Sequence, residues 1–123
     1  MQPEPPFYHL VLLWIELARG LSSAIAPDMQ AKFGSRIGNL LIAAAVYIGT
    51  IEGRPMSVSK IASFVGMPRA TVIRRLHELR RYGTVERVRG TYRTPADRVK
   101  RTRRQEHASM VRLVQSTCEK LAR

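Results

Sequence analysis

Within the thirteen positions from Arg69 to Arg81 the chain places Arg69, Ala70, Thr71, Arg74, Arg75, Glu78 and Arg81. A guanidinium is a planar fork of donors that pairs with phosphate oxygens or with O6 and N7 of guanine, and a small apolar side chain beside it suits a thymine methyl. On a helix turning about 100° per residue, with Val72 as zero, Leu76, Leu79 and Gly83 lie within about 40°, whereas Ala70, Arg74 and Arg81 lie near the opposite pole. Thr71, Arg75, His77 and Glu78 flank that pole. One face is therefore apolar, and the other offers arginine, threonine and a small alanine. Such a helix fits a DNA major groove, residues 69 to 75 being placed for base edges and later ones for backbone. The plainer alternative is a solvated helix in which Arg74 and Arg75 pair with Glu78, worth a few tenths of a kcal/mol.

Two further basic groups stand beside this segment. Ser57, Ser59 and Lys60 open a preceding apolar-periodic run, so their hydroxyls and free N–H groups either bind phosphate or merely cap a helix. Arg87, Arg89 and Arg93 alternate along a short ribbon, which predicts that they share one face lying over phosphates or in a minor groove. Lys100, Arg101, Arg103 and Arg104 either extend this track or are only solvated.

Other chemistries find no constellation. His9, His77 and His107 fall on three separate segments, Cys118 is the single cysteine, and no Gly-rich phosphate loop is present. An enzyme needs a converging nucleophile, base or metal set, so neither catalysis nor a metal or cofactor is expected. Cys118 is expected as a buried small residue near an apolar seam, a redox-sensing thiol being the lesser reading.

The charge distribution agrees with the arginine pattern. Of 123 residues, 21 are Lys or Arg and 9 are Asp or Glu, a net charge of +12. From Arg54 to Arg104 there are 15 basic residues against three acids, Glu78, Glu86 and Asp97, and the rest of the chain balances at 6 against 6. A basic middle between neutral, apolar ends is the footprint of a polyanion binder. One cysteine excludes an internal disulfide scaffold, and a reducing cytoplasm fits best. Met1 to Pro6 holds an acid and three prolines where an export signal needs a basic segment leading into an apolar run. The apolar stretches Phe7 to Leu21 and Ile37 to Ile51 fall short of the roughly 20 residues of a membrane span, so no membrane partner is expected.

The elements follow from punctuation and period. Phe7, Leu10, Trp14, Leu17 and Leu21 recur at helical spacing, widened by Val11, Ile15 and Ala18. Pro27 and Asp28 predict a short turn to Phe33, Gly34-Ser35 a break with a cap, and Ile37 to Glu52 a central helix covered on several sides. Ser57 caps a helix over 58–64, Gly66 makes a tight turn, Pro68 opens a second helix to about Tyr82, and Gly83 stops it. Val85 to Val88 and Thr91 to Thr94 around Arg89-Gly90 read as a hairpin closed by Pro95. One long helix is expected from Ala96 onward, with His107, Met110, Val114, Thr117 and Leu121 as its seam. The fold class is thus mainly α with a small β-hairpin wing, a winged helix-turn-helix.

The residues Pro55-Met56-Ser57-Val58-Ser59-Lys60-Ile61-Ala62, Gly66-Met67-Pro68-Arg69-Ala70-Thr71-Val72, Leu76, Leu79, Tyr82-Gly83 and Val85-Glu86-Arg87 resemble the DNA-binding domains of bacterial MarR and IclR transcription regulators. The short hairpin is similar to IclR wings and lacks the longer MarR tip, whereas the flanking helices are similar to the MarR plan, whose terminal helices build a dimer. The resemblance implies a double-stranded DNA partner, a homodimer, and a small-molecule effector lined by Trp14 and His9.

The apolar ends carry the same expectation without the family. Phe7, Leu10, Trp14, Leu17 and Leu21 with Met110, Val114 and Leu121 exceed what a small winged body hides, and packing across a two-fold axis is the economical cover. The chain divides into residues 1–34 and 96–123 as dimerisation segments around a DNA-binding domain at 35–95. The expected activity is sequence-specific DNA binding by a repressor. The competing readings are an architectural DNA binder, an RNA-binding winged helix, and a protein-interaction module.

Overall fold

A computed structural model describes residues 6–25, 33–101 and 105–123. Helix α1 (Pro6–Ile25) is followed by α2 (Phe33–Ile51), then α3 (Val58–Val65), α4 (Arg69–Arg81), strands β1 (Glu86–Val88) and β2 (Thr91–Arg93), α5 (Ala96–Arg101) and α6 (Gln105–Ala122). The mainly helical winged helix-turn-helix expected from the sequence is the fold observed.

The core assembles around α2. Ile42, Ala43, Ala45 and Val46 from one side of that helix meet Met56, Ile61, Val72, Leu76, Leu79, Val85 and Tyr92. Helices α3 and α4 both pack on α2 and on each other, and β2 closes against α2. On α4 the helical spacing seen in sequence becomes burial, since Val72, Leu76 and Leu79 are all within 1% of full burial.

Turn chemistry places the elements. Ser57 is the N-cap of α3, its Oγ accepting from the Lys60 N–H at 3.3 Å. Gly66 ends that helix with φ +72°, a left-handed conformation that an L side chain resists, and its N–H donates to the Ala62 carbonyl at 2.9 Å. The strands pair antiparallel with Glu86 opposite Arg93, Arg87 opposite Tyr92 and Val88 opposite Thr91. The Tyr92 N–H donates to the Met56 carbonyl at 2.9 Å, so the chain before α3 borders the wing. Thr50 ties α2 to the wing, its hydroxyl donating to the Val46 carbonyl at 2.8 Å and accepting from the Thr94 N–H at 2.9 Å.

One expectation is corrected, and two fall partly outside the described residues. Gly34 and Ser35 lie inside α2 and form no break, because a glycine near a helix start costs only about 1 kcal/mol and the following apolar turns pack well. The turn expected at 27–33 lies largely outside the described residues. The single helix expected from Ala96 is described as α5 and α6, with 102–104 outside the described residues. Helix α2 is covered by α1, α3, α4 and β2, as expected, while Ile37, Leu41, Ile48 and Ile51 remain 39–53% exposed.

Helices α1 and α6 pack against each other, and α1 also touches α2. The absent side chain of Gly20 admits Met110, whose Cγ lies 3.5 Å from where a Cβ would stand. The apolar ends therefore cover one another partly within one chain. No helix among the described residues is long and apolar enough to cross a membrane.

Candidate nucleic-acid interface

The exposed side of α4 is built by the burial of its other side. Three core residues at 72, 76 and 79 fix which way the helix faces, and Arg69, Ala70, Arg74 and Arg81 are consequently exposed. Arg74 makes no hydrogen bond or ion pair among the described residues, so the pairing with Glu78 is not formed. Thr71 and Glu78 are half-buried on the flanks.

Arg75 is oriented differently from Arg74. Half-buried, it donates from Nη1 to Asn39 Oδ1 of α2 at 3.2 Å. At about 60° from Val72 it sits on the flank nearest α2, so its side chain turns inward while that of Arg74 turns out. A guanidinium held there is not on the outer face with Ala70, Arg74 and Arg81.

At the α3 end, Ser57 is engaged as a cap, the second of its two alternatives. Ser59 accepts a hydrogen bond from Arg69, which joins the exposed starts of α3 and α4. Lys60 is exposed beside them.

The wing differs from its expected form. A two-residue loop pairs 87 with 92 and 86 with 93, and cross-strand partners share a face of the ribbon. Arg87 and Arg93 therefore project from opposite faces, not from one. Arg93 is held by Glu86, Nε to Oε1 at 2.6 Å, an exposed pair worth at most about 1 kcal/mol. Arg89 occupies the loop with φ +52°, followed by Gly90 at +77°, and is exposed. Two successive positive φ values are those of a type I′ turn, where Asn, Asp or Gly is the usual first residue.

Three residues escaped the sequence reading. Arg98 of α5 donates to the Tyr82 carbonyl at 2.9 Å and so secures the end of α4. Asn39 is fully buried, and Gly38 leaves room for the Arg75 guanidinium. The available signal was a lone asparagine inside the uncharged run from Ile37 to Ile51, since a polar side chain on an apolar helix must find a partner.

The residues expected at a dimer contact divide. Phe7 and Leu10 lie on α1 but outside the described side chains. Leu17, Leu21 and Met110 are half-buried, Met110 against Gly20 of α1, whereas Trp14, Val114 and Leu121 are 58%, 41% and 36% exposed. Cys118 is exposed and not buried, because the packed stripe of α6 runs through Met110, Leu113 and Thr117. Trp14 is exposed and His9 half-buried on α1. A cavity of about 470 Å³ lies at the base of the wing, among Ile51, Glu86, Arg93, Thr94, Val99 and Lys100. Of the further basic track, Lys100 is exposed on α5, while Arg103 and Arg104 lie outside the described residues.

The family model described as a Crp-like helix-turn-helix domain matches residues 35–98, more than half of the chain. No curated protein and no solved structure matches. The matched span runs from the start of α2 through the wing into α5, and so contains the whole basic face. The match establishes the helix-turn-helix DNA-binding class; the MarR and IclR likeness is not part of what it establishes. On these grounds the chain belongs to the Crp-like helix-turn-helix domain family, the DNA-binding domain of a transcription regulator.

Proposed function

We propose that the protein is a sequence-specific, double-stranded-DNA-binding repressor that acts as a dimer in the cytoplasm, by occlusion and without catalysis. The observation that carries this reading is the outer face of α4, where exposed Ala70, Arg74 and Arg81 stand opposite the buried row Val72, Leu76 and Leu79. A face with arginine and a small residue reads base edges in a major groove. Arg69, exposed at the helix start beside Ser59, joins Lys60, Arg87 and the wing-tip Arg89 as further basic contacts to the duplex flanking that face.

Dimerisation is supported by the apolar surface that intrachain packing leaves open. Trp14 and Ile15 on α1, with Val111, Val114 and Leu121 on α6, remain 36–58% exposed after the two helices have packed. A second copy is the occupant consistent with the MarR-type plan of terminal helices, and two recognition helices would then meet half-sites about one turn of duplex apart. The small-molecule effector that the MarR resemblance implies would bind beside Trp14 and His9 of α1.

The test is selection of bound duplexes from a random library at about 200 mM salt, where non-specific electrostatic binding is much weakened. An enriched inverted repeat with half-sites roughly 10 base pairs apart is the expected result. The net charge of +12 favours one competing reading, electrostatic binding without sequence choice. Binding at low salt with no enriched sequence would establish that reading instead.

A further inference from the structure

Along its middle, helix α4 is held to the core by a single buried row, Val72, Leu76 and Leu79, with polar ties at its two ends from Arg69 to Ser59 and from Arg98 to the Tyr82 carbonyl. Apolar contact is non-directional, so a row of this kind resists lifting of the helix more strongly than rolling about its axis. A roll of about 20° carries a side-chain tip 5–6 Å from the axis through about 2 Å, enough to break a paired hydrogen bond to a base. Reading bases from α4 therefore requires something directional that sets its rotation.

Arg75 supplies that direction. Its Nη1 donates to Asn39 Oδ1 at 3.2 Å, and Asn39 is fully buried in α2. Its Nε is closed off from water. The guanidinium lies against Gly38 so closely that a Cβ there would stand 2.9 Å from both Cζ and Nε. Three polar or small positions on two helices thus form one clasp. Withdrawing a cation from water is unfavourable unless it is well paired, and an apolar residue of similar size would pack there at less cost. What the charged fork adds is orientation, because hydrogen bonds have angular requirements that apolar contacts lack.

We infer that Arg75 is a positioning residue that fixes the rotation of the recognition helix on α2, through a clasp with Asn39 and Gly38, and does not itself touch DNA. The inference rests on the reading of α4 as the recognition helix.

The experiment uses the full chain with duplexes carrying a random 20-base-pair core. Five variants are compared with the wild type: Gly38→Ala, Arg75→Gln, Arg75→Lys, the double variant of the first two, and Arg74→Ala. Three quantities are read: preference for the enriched sequence over the pool, the slope of log affinity against log salt, and the thermal midpoint. Gly38→Ala changes no residue that faces DNA, yet it should lower the preference on the order of tenfold by displacing the guanidinium. Arg75→Gln and Arg75→Lys should do the same, the lysine failing despite its charge because it lacks the planar fork. The double variant should be no worse than either single one, as expected of groups acting as a unit. The salt slope should stay at the wild-type value in all of these, whereas Arg74→Ala should relax the preference at one base position alone.

A slope lowered by about one in Arg75→Gln and preserved in Arg75→Lys would show phosphate contact and overturn the inference. So would full preference in Gly38→Ala. Should Gly38→Ala lose its thermal transition, Arg75→Lys decides alone, and retained preference in that variant overturns the inference. A wild type with no preferred sequence would sink the recognition-helix reading itself, a result distinct from these.

Discussion

Arg74 and Arg75 are neighbours of one type, and a single covalent step separates their fates. One hundred degrees of helical rotation carries Arg74 to solvent and Arg75 to the flank of α2, where Asn39 receives it. Arg74→Ala should cost about 1–3 kcal/mol of binding and relax the preference at one base position, as measured by titration against single-base variants of the selected site. Arg89 presents the opposite balance. Its φ of +52° is a conformation in which an L side chain costs roughly 1–2 kcal/mol, and asparagine tolerates it better. Arg89→Asn should therefore raise the thermal midpoint by a few degrees while weakening every duplex alike and lowering the salt slope by about one. A variant that gained stability with unchanged DNA affinity would remove Arg89 from the interface.

At the scale of elements, local sequence rules and packing agree in the helix-turn-helix and diverge at the chain's ends. In α3 and α4 a cap at Ser57, a left-handed glycine at Gly66 and the row Val72, Leu76 and Leu79 all favour the same arrangement. Leu76, 1% exposed at the centre of the core, is the residue whose truncation tests it. Leu76→Ala should destabilise folding by about 2–5 kcal/mol, seen as a lower urea midpoint at unchanged slope. In α6 the pattern Met110, Val114, Thr117 and Leu121 was legible as a helix, but not which residues of it face inward. Met110, Leu113 and Thr117 turn towards the packed side, and Val111, Val114, Cys118 and Leu121 form a second stripe that stays exposed. Both stripes have helical spacing, so periodicity alone does not separate them.

For the whole molecule, the exposed stripe of α6 makes the dimer testable with the chain's own chemistry. Cys118 is the single cysteine and is solvent-exposed among Val114 and Leu121. If two copies meet along this stripe, mild oxidation or a short bis-maleimide should link them into a covalent dimer at micromolar protein. Val114→Glu should shift the sedimenting species to monomer and lower affinity for a two-half-site duplex more than for a half-site, since linked binding is lost. Uniform monomer in the wild type at DNA-binding concentrations would end the dimer proposal while leaving the helix-turn-helix untouched. The charge operates at this scale too: the excess confined to residues 54–104 speeds encounter with a polyanion, whatever sequence is then read.

Punctuation, period and charge, read along the chain, determined the fold class, the order of α3, α4 and the wing, and the face of α4 that carries Ala70, Arg74 and Arg81. These follow from local rules: a cap needs an acceptor, a left-handed turn needs a glycine, and a helix buries the side on which its apolar residues recur. The inward turn of Arg75, the opposite faces of Arg87 and Arg93, the continuation of α2 through Gly34 and Ser35, and the exposure of Cys118 were decided only in three dimensions. Each depends on how elements come together in space. Arg75 and Asn39 are 36 residues apart, and the wing's faces depend on which residues of its two strands stand opposite one another. A sequence states what each residue prefers locally, whereas a contact also requires the other element to be brought to the same place.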